Sequence, residues 1–169
     1  MLDGYIKKLH LRCYRQDFNF DPLPIWRAND EEHRRGIHEI RHIMGLYRLW
    51  DALLSANPGL LIDNCASGGR RNDIEMLSRS IPLWRSDAQC PGDAPPETAQ
   101  CHTTGIARWI PYSGTGIGIL TGDWYRCRSC YGPAMTTEAW MYADQEIDAV
   151  STQAMRPIFA EYLRVRPYL

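Results

Sequence analysis

Residues 9–17 read LHLRCYRQD, an apolar run that ends on the carboxylate of Asp17. Residues 81–87 read IPLWRSD and end in the same way on Asp87. Between them, residues 60–69 read LLIDNCASGG, in which a short apolar run leads directly into a cysteine and two glycines. Polar side chains at the carboxyl ends of short buried strands are typical of parallel α/β sheets and barrels. The pattern therefore predicts an α/β fold.

Helical segments are predicted between these strands. Residues 21–28 are turn-rich, and Asn29 or Asp30 is the expected N-cap of a helix that ends at the NPG sequence of residues 57–59. Apolar residues recur at helical spacing between Ile37 and Leu54. Further helices are predicted at about residues 73–80, 96–109 and 144–163, the last of them kinked at Pro157. The alternation amounts to about four β/α units.

The chain length fits two architectures. A complete eight-stranded (β/α)8 barrel takes about 250 residues, whereas this chain has 169. It is therefore either about half of such a barrel or a complete open α/β domain.

Composition excludes several classes of partner. The formal net charge is −1, so no nucleic-acid or membrane-surface partner is expected. No apolar run approaches the roughly 20 residues of a spanning helix, and the N-terminus shows no signal peptide. The compartment stays open: cytoplasmic, or periplasmic or secreted if a signal peptide lies upstream.

The six cysteines do not predict a metal site. Cys127 and Cys130 form a CxxC pair, but Cys90 and Cys101 are too far apart in sequence to supply the second tight pair that a zinc site needs. Free thiols packed as small apolar side chains are the expected state.

Two further patterns predict structure rather than chemistry. His38 and His42 are four residues apart on a helix, and HEIRH at residues 38–42 has the HExxH form found in zinc enzymes; a solvated or half-buried helix face is nevertheless the expectation, and no metal site is predicted from it. The glycine-rich residues 113–118 lack both a Walker lysine and a dinucleotide fingerprint, so a tight strand or bend is expected. No metal and no cofactor are predicted.

The two strand-end carboxylates suggest a reaction class. Cleavage of a glycoside needs one carboxylate to attack the sugar carbon and a carboxylic acid to protonate the leaving oxygen. Asp17 has to stay ionised to attack, which the neighbouring cation of Arg15 would favour. Asp87 has to begin protonated, which the apolar wall of Trp84 and the charge of Asp17 would favour.

Three motifs carry a resemblance to a known family. They are YRQDFN at residues 14–19, DNCASGGRRND at 63–73 and LWRSD at 83–87. Their order and spacing resemble the retaining α-galactosidases of glycoside hydrolase family 36. That family has a strand-end Lys-Trp-Asp-x-Asn, a Cys-(Ala)-Ser-Gly-Gly loop and a Trp-x-Ser-Asp. The resemblance implies that residues 1–169 are the C-terminal portion of a (β/α)8 catalytic domain, incomplete in this chain.

The resemblance also implies residue roles. Asp17 corresponds to the nucleophile and Asp87 to the general acid/base. The implied substrate-binding residues are Arg15, Asn19, Cys65, Gly68 and Trp84. The sequence departs from the family pattern at Arg15 (family lysine), Gln16 (tryptophan), Arg70 (glycine) and Arg85 (threonine). An arginine fork reaches differently from a lysine ammonium, so these departures bear on the identity of the sugar more than on the reaction.

The implied function is hydrolysis of terminal α-galactosides by double displacement through a covalent glycosyl-enzyme intermediate, with an α-galactoside oligosaccharide as substrate. Two alternatives remain: an α-N-acetylgalactosaminidase of the same mechanism, and a non-catalytic sugar-binding or structural α/β domain. The full-length enzyme could form a homo-oligomer, and this fragment alone is expected to be inactive.

Overall fold

A computed structural model describes residues 1–89, 94–106, 109–110, 113–117, 123–137 and 149–169. The chain divides into two compact units, Met1–Ile81 and Pro82–Leu169, and each is described by itself.

The first unit is built around a parallel pair of strands. Its elements are α1 (Leu2–Lys8), β1 (Cys13–Asp17), α2 (Leu23–Asn29), α3 (Ile37–Ala56), β2 (Leu61–Cys65) and α4 (Ile74–Leu77). β1 and β2 are parallel, with Arg15 opposite Asp63 and Asp17 opposite Cys65. Because two parallel strands need a crossover between them, α2 and α3 complete a β/α/β unit. The predicted α/β alternation is thus present.

The two faces of β1 have different surroundings. Tyr14 packs against a core in which Trp50 of α3, Ile62 of β2 and Met76 of α4 are fully buried. Gln16 lies on the same face, and its Oε1 accepts a hydrogen bond of 2.9 Å from Trp50 Nε1. Successive side chains of a strand point to opposite faces, so the odd-numbered residues of β1 face away from this core.

The start of the long helix differs from the sequence prediction. α3 begins at Ile37, not just after Asn29 or Asp30, and the stretch expected to be turn-rich contains α2. Pro24 is compatible with α2 because it lies in the first turn, where its missing N–H is not needed. Asp30 binds the start of α3 across a loop: its carboxylate accepts hydrogen bonds from the backbone N–H of Gly36 at 2.6 Å and of His38 at 3.1 Å.

The second unit holds another parallel pair. Its elements are a 3₁₀ turn (Asp87–Gln89), α5 (Pro96–Ile106), β3 (Gly114–Ile117), α6 (Trp124–Ser129), β4 (Ala134–Thr137), α7 (Ala149–Val165) and a 3₁₀ turn (Arg166–Tyr168). β3 and β4 are parallel, with Gly114 opposite Ala134. Ala99, Cys127, Cys130 and Ile158 form the buried core.

Predictions for the second unit have mixed outcomes. The apolar run of residues 81–87 predicts a strand at Leu83 and Trp84, and this prediction is wrong: the two residues form a bend, and Asp87 opens a 3₁₀ turn. Pro82 accounts for this, because it has no N–H to donate to a strand ladder. The strand expected in the glycine-rich segment is confirmed at Gly114–Ile117. β4 and α6 were not predicted, and the expected start of the last helix at residue 144 lies outside the described residues.

Within the described ranges, five cysteines are free thiols, namely Cys13, Cys65, Cys101, Cys127 and Cys130, while Cys90 lies outside those ranges. The same ranges contain no group of three or more His, Cys, Asp or Glu side chains arranged to hold a metal ion. No helix in the described part of the chain is long and apolar enough to cross a membrane.

Candidate active site

The odd-numbered face of β1 and the matching face of β2 bring four chemically active side chains together. The parallel register sets Arg15 opposite Asp63 and Asp17 opposite Cys65. Asp63 and Cys65 are buried, at 3% and 2% exposure, whereas Asp17 lies open at the strand end. The predicted nucleophile and two of the predicted sugar contacts, Arg15 and Cys65, therefore share one surface.

Arg15 joins the two carboxylates of this surface. Its Nη1 donates to Asp63 Oδ2 at 2.5 Å, and its Nη2 donates to Asp17 Oδ2 at 3.2 Å. Burial lowers the pKa of Arg15, but the hydrogen bond that Arg15 donates to Asp63 and the charges of Asp63 and Asp17 outweigh burial and raise the pKa above its usual value. A permanently charged guanidinium thus lies against the Asp17 carboxylate.

Cys65 is a thiol rather than a thiolate. Burial raises the pKa of its side chain above the usual value, and the hydrogen bond with Asp17 acts in the same direction. A protonated thiol is a weak hydrogen-bond donor and a poor nucleophile. Cys65 is therefore a weak donor next to Asp17, and Asp17 stays the predicted nucleophile.

The loop after β2 is held against the end of β1. Asn19 Oδ1 accepts a hydrogen bond of 2.8 Å from the backbone N–H of Ser67, and the Phe18 N–H donates to the Cys65 carbonyl at 3.2 Å. Gly68 is buried and has a φ of 73°, a left-handed conformation that glycine adopts without steric cost. Asn19 thus positions the loop that contains Gly68.

Arg71 is a candidate site residue that the sequence motifs did not predict. Its guanidinium carbon lies 5.2 Å from the centre of the Phe18 ring, in the residue next to Asp17. Its buried Nη1 has no hydrogen-bond partner within the part of the chain that the structure describes. Burial lowers the pKa of Arg71, while Cys65 and Asp17 oppose that change. Arg71 could have been predicted from its place in the DNCASGGRRND motif of residues 63–73.

Asp63 was also missed. Asp63 could have been predicted from the sequence, because it lies two residues before Cys65 and two such side chains share one face of a strand.

Two departures from the family motifs contact a helix of their own unit. Gln16 faces α3 and is bound by Trp50. Arg85 is buried, and its guanidinium donates to Thr103 Oγ1 at 2.7 Å and to the Ala99 carbonyl at 3.2 Å, both in α5. Burial lowers the pKa of Arg85 to about 10. Gln16 and Arg85 each hold a helix of their own unit in place. Arg70, a third departure, is exposed in the loop after β2.

Asp87 and Trp84 form a hydrogen-bonded pair in the second unit. Trp84 Nε1 donates to Asp87 Oδ1 at 3.0 Å, and the Asp87 side chain is exposed. Because Asp17 belongs to the first unit and Asp87 to the second, the joint action of the two carboxylates stays a prediction.

The family to which the chain belongs follows from its match to a family model described as Melibiase, which covers residues 6–94, more than half of the 169 residues. The chain belongs to the melibiase family. The matched region contains all three motifs quoted above, so the resemblance to α-galactosidases is confirmed.

Curated relatives of this melibiase-family chain are α-galactosidases. Alpha-galactosidase 1 of Pediococcus pentosaceus is 30% identical over 86 residues, which are 51% of this chain and 12% of that protein. Alpha-galactosidase AgaA of Geobacillus stearothermophilus is 30% identical over 80 residues, 47% of this chain and 10% of the relative.

Solved structures share the fold. The α-galactosidase of Lactobacillus brevis superposes with a TM-score of 0.69 at 20% identity, over 98% of this chain and 22% of that one. A glycoside hydrolase family 36 AgaA variant of Geobacillus stearothermophilus, bound to 1-deoxygalactonojirimycin, superposes with a TM-score of 0.71 at 20% identity, over 98% and 23%. This melibiase-family chain thus spans less than a quarter of the length of these relatives and structures.

Proposed function

We propose that this chain is part of a retaining α-galactosidase in which Asp17 is the nucleophile and Asp87 the general acid/base. The observation that carries the assignment is the pairing of the Asp17 carboxylate with the Arg15 guanidinium, which is itself held by the buried Asp63. The guanidinium fixes the position of a carboxylate at the end of a strand, and a nucleophile has to be held in place to attack. Membership of the melibiase family supports the reaction class.

In the first step, an Asp17 oxygen attacks the anomeric carbon from the face opposite the leaving group. The bond from that carbon to the glycosidic oxygen breaks, and Asp87 transfers its proton to the departing oxygen. The product is a covalent glycosyl ester on Asp17. In the second step, Asp87 removes a proton from water, the water oxygen attacks the anomeric carbon, and the Asp17 carboxylate leaves.

The sugar contacts follow from the surface around Asp17. We propose that Arg15, Cys65 and the Gly68 backbone contact the hydroxyls of the galactosyl ring. Asn19 holds the loop after β2 and contacts the edge of the ring. Trp84 forms the side of the sugar site next to Asp87. Arg15 already donates hydrogen bonds to Asp63 and Asp17. It therefore supplies fewer donors to the sugar than its five N–H groups would allow in isolation.

We further propose that residues 1–169 form about four β/α units of a (β/α)8 catalytic domain. The two parallel strand pairs with intervening helices support this architecture. The proposed substrate is an oligosaccharide with a terminal α-galactosyl group. A related AgaA variant was solved in complex with raffinose.

The decisive experiment uses the protein at its natural length and an aryl α-galactoside. Asp17→Asn is expected to lower kcat by at least about 1,000-fold, because an amide cannot form the glycosyl ester. Asp17→Gly should regain activity with azide or formate and give a product of inverted configuration, because the small anion replaces the missing carboxylate. Asp51→Asn is the matched control, since this exposed aspartate on α3 pairs only with Arg79 among the described residues.

Three results would overturn the assignment. Activity of Asp17→Asn above about one tenth of the unmodified enzyme would remove Asp17 from the chemistry. A preference for aryl α-N-acetylgalactosaminides would replace the proposed substrate. Sugar binding without turnover of either glycoside would identify a non-catalytic domain.

A further inference from the structure

The glycine-rich segment of the second unit lies against the residues around Asp87. Gly116 of β3 lies against the indole ring of Trp84, and a Cβ atom built on Gly116 would overlap the ring atoms Cζ3 and Cη2. The ring therefore occupies the space that any other side chain at position 116 would need. Gly116 has a packing function here, not a phosphate-binding one.

The strand that contains Gly116 is held in place by its pairing with β4 and by the contacts of Gly114 and Thr115. Gly114 of the same strand approaches the backbone of Leu83 so closely that a Cβ atom there would overlap the Leu83 carbonyl. Thr115 between them is fully buried, and its hydroxyl donates to the Cys130 carbonyl. A side chain added at Gly116 would therefore displace the indole rather than the strand.

The indole in turn orients Asp87. Trp84 Nε1 donates to Asp87 Oδ1 at 3.0 Å. An indole N–H is a donor only, so Oδ1 is occupied as an acceptor and the proton of the neutral acid is favoured on Oδ2. The direction of proton transfer thus depends on the orientation of the ring.

We propose that Gly116 is a positioning residue of the reaction: it seats the Trp84 ring so that the indole N–H fixes the carboxyl group of Asp87. This inference rests on the proposed function, because it assigns Asp87 the role of general acid. It concerns the orientation of that acid and not the attack by Asp17.

The test compares Gly116→Ala with Gly105→Ala in the natural-length enzyme. Gly105 lies in α5 with open space around its Cα, so its substitution is the matched control. We measure kcat/KM for an alkyl α-galactoside, whose leaving group needs protonation, and for a nitrophenyl α-galactoside, whose leaving group does not. Gly116→Ala should lower the alkyl-to-aryl ratio about 10- to 100-fold, whereas Gly105→Ala should leave it within about twofold.

Trp84→Phe provides the second variant, because phenylalanine keeps much of the packing and removes the N–H donor. We expect it to lower the alkyl-to-aryl ratio as well, and Gly116→Ala added to it should change the ratio by less than about threefold, since both act through one hydrogen bond. If Gly116→Ala does not fold, Trp84→Phe alone decides: an unchanged ratio overturns the inference.

The failures of the two proposals are distinguishable. An enzyme that hydrolyses neither glycoside overturns the proposed function and the inference together. An active enzyme in which Asp87→Ala lowers the ratio, but Gly116→Ala lowers both substrates equally or neither, overturns the role of Gly116 alone.

Discussion

Asp63 and Arg15 are direct neighbours across the two parallel strands of the first unit, and their side chains are joined at 2.5 Å. The carboxylate of Asp63 is almost completely buried, whereas Arg15 extends from it to Asp17 at the strand end. A long arginine side chain has many rotamers in water. The buried carboxylate selects the one that places the guanidinium on the candidate nucleophile.

We therefore expect Asp63→Asn to lower kcat about 10- to 100-fold, because a misplaced positioning group in an active site costs turnover of this order. KM for an aryl α-galactoside should change less. The measurement is steady-state kinetics on the natural-length protein, with Asp51→Asn as the control for loss of an aspartate–arginine pair at the surface. Equal kinetics in the two variants would show that Arg15 finds Asp17 without Asp63.

The second prediction is geometric. If Asp17 and Asp87 form a retaining pair, their carboxyl groups should lie about 5–5.5 Å apart in a crystal structure of the natural-length protein. A separation of about 6.5–9.5 Å would leave room for a water molecule and indicate an inverting enzyme. Carboxyl groups on opposite faces, or more than about 10 Å apart, would remove the two-carboxylate mechanism.

The third prediction concerns pH and the first turn of α3. Hydrogen bonds from the Gly36 N–H and from His38 hold the pKa of Asp30 below its usual value of 3.8. A carboxyl group whose pKa is lowered on folding contributes stability above its unfolded pKa and loses it as the pH falls through the folded pKa. Protection of residues 36–40 from hydrogen exchange, corrected for the intrinsic rate, should therefore persist at pH 4 and decrease only at lower pH.

In the Asp30→Asn variant, the amides of residues 36–40 should exchange several-fold faster than in the unmodified protein at pH 7, since the asparagine amide is a weaker acceptor than the carboxylate. Asp21→Asn is the matched control, because Asp21 accepts a hydrogen bond from the Leu23 N–H at the start of α2 and not from α3. Half-loss of protection at pH 4 in the unmodified protein would contradict the lowered pKa of Asp30.

The fourth prediction concerns the 169-residue chain expressed alone. Leu9 and Leu11, which precede β1, and Leu61 at the start of β2 are 58%, 42% and 51% exposed. Exposed strand edges and apolar patches promote association. We expect this chain to be inactive on aryl α-galactosides and to dimerise, aggregate or stay partly molten in size-exclusion chromatography and calorimetry. A monodisperse, active monomer would mean that the partial-barrel proposal is wrong.

Local sequence signals predicted much of the first unit. The apolar run before Asp17, the helix stop at residues 57–59 and the strand before Cys65 all depend on neighbours in sequence, and each has its counterpart in β1, α3 and β2. The prediction of Asn29 or Asp30 as the N-cap is wrong, because the N-cap of α3 is Gly36; Asp30 instead accepts hydrogen bonds from backbone N–H groups six and eight residues later. Because the carboxylate of Asp30 binds the first turn of α3 across a loop, the position of Asp30 in the sequence does not show where the helix begins.

The missed features depend on register and packing instead. Asp63 meets Arg15 across 48 residues of sequence, and only the pairing of the strands brings them together. The side-chain direction of Gln16 likewise depends on which face of β1 meets α3. The bend at Leu83 follows from Pro82, which was read as part of an apolar run rather than as a break in the ladder.

The alternation of faces along β1 has a practical consequence for protein engineering. Positions 15 and 17 present their side chains to the proposed sugar, whereas positions 14 and 16 are committed to the helix behind the strand. A library meant to alter sugar preference can therefore vary position 15 while Asp17, the proposed nucleophile, and positions 14 and 16 stay fixed. Substitutions that restore the stability of a destabilised clone belong on the face of positions 14 and 16, so that selectivity and folding can be optimised in separate rounds.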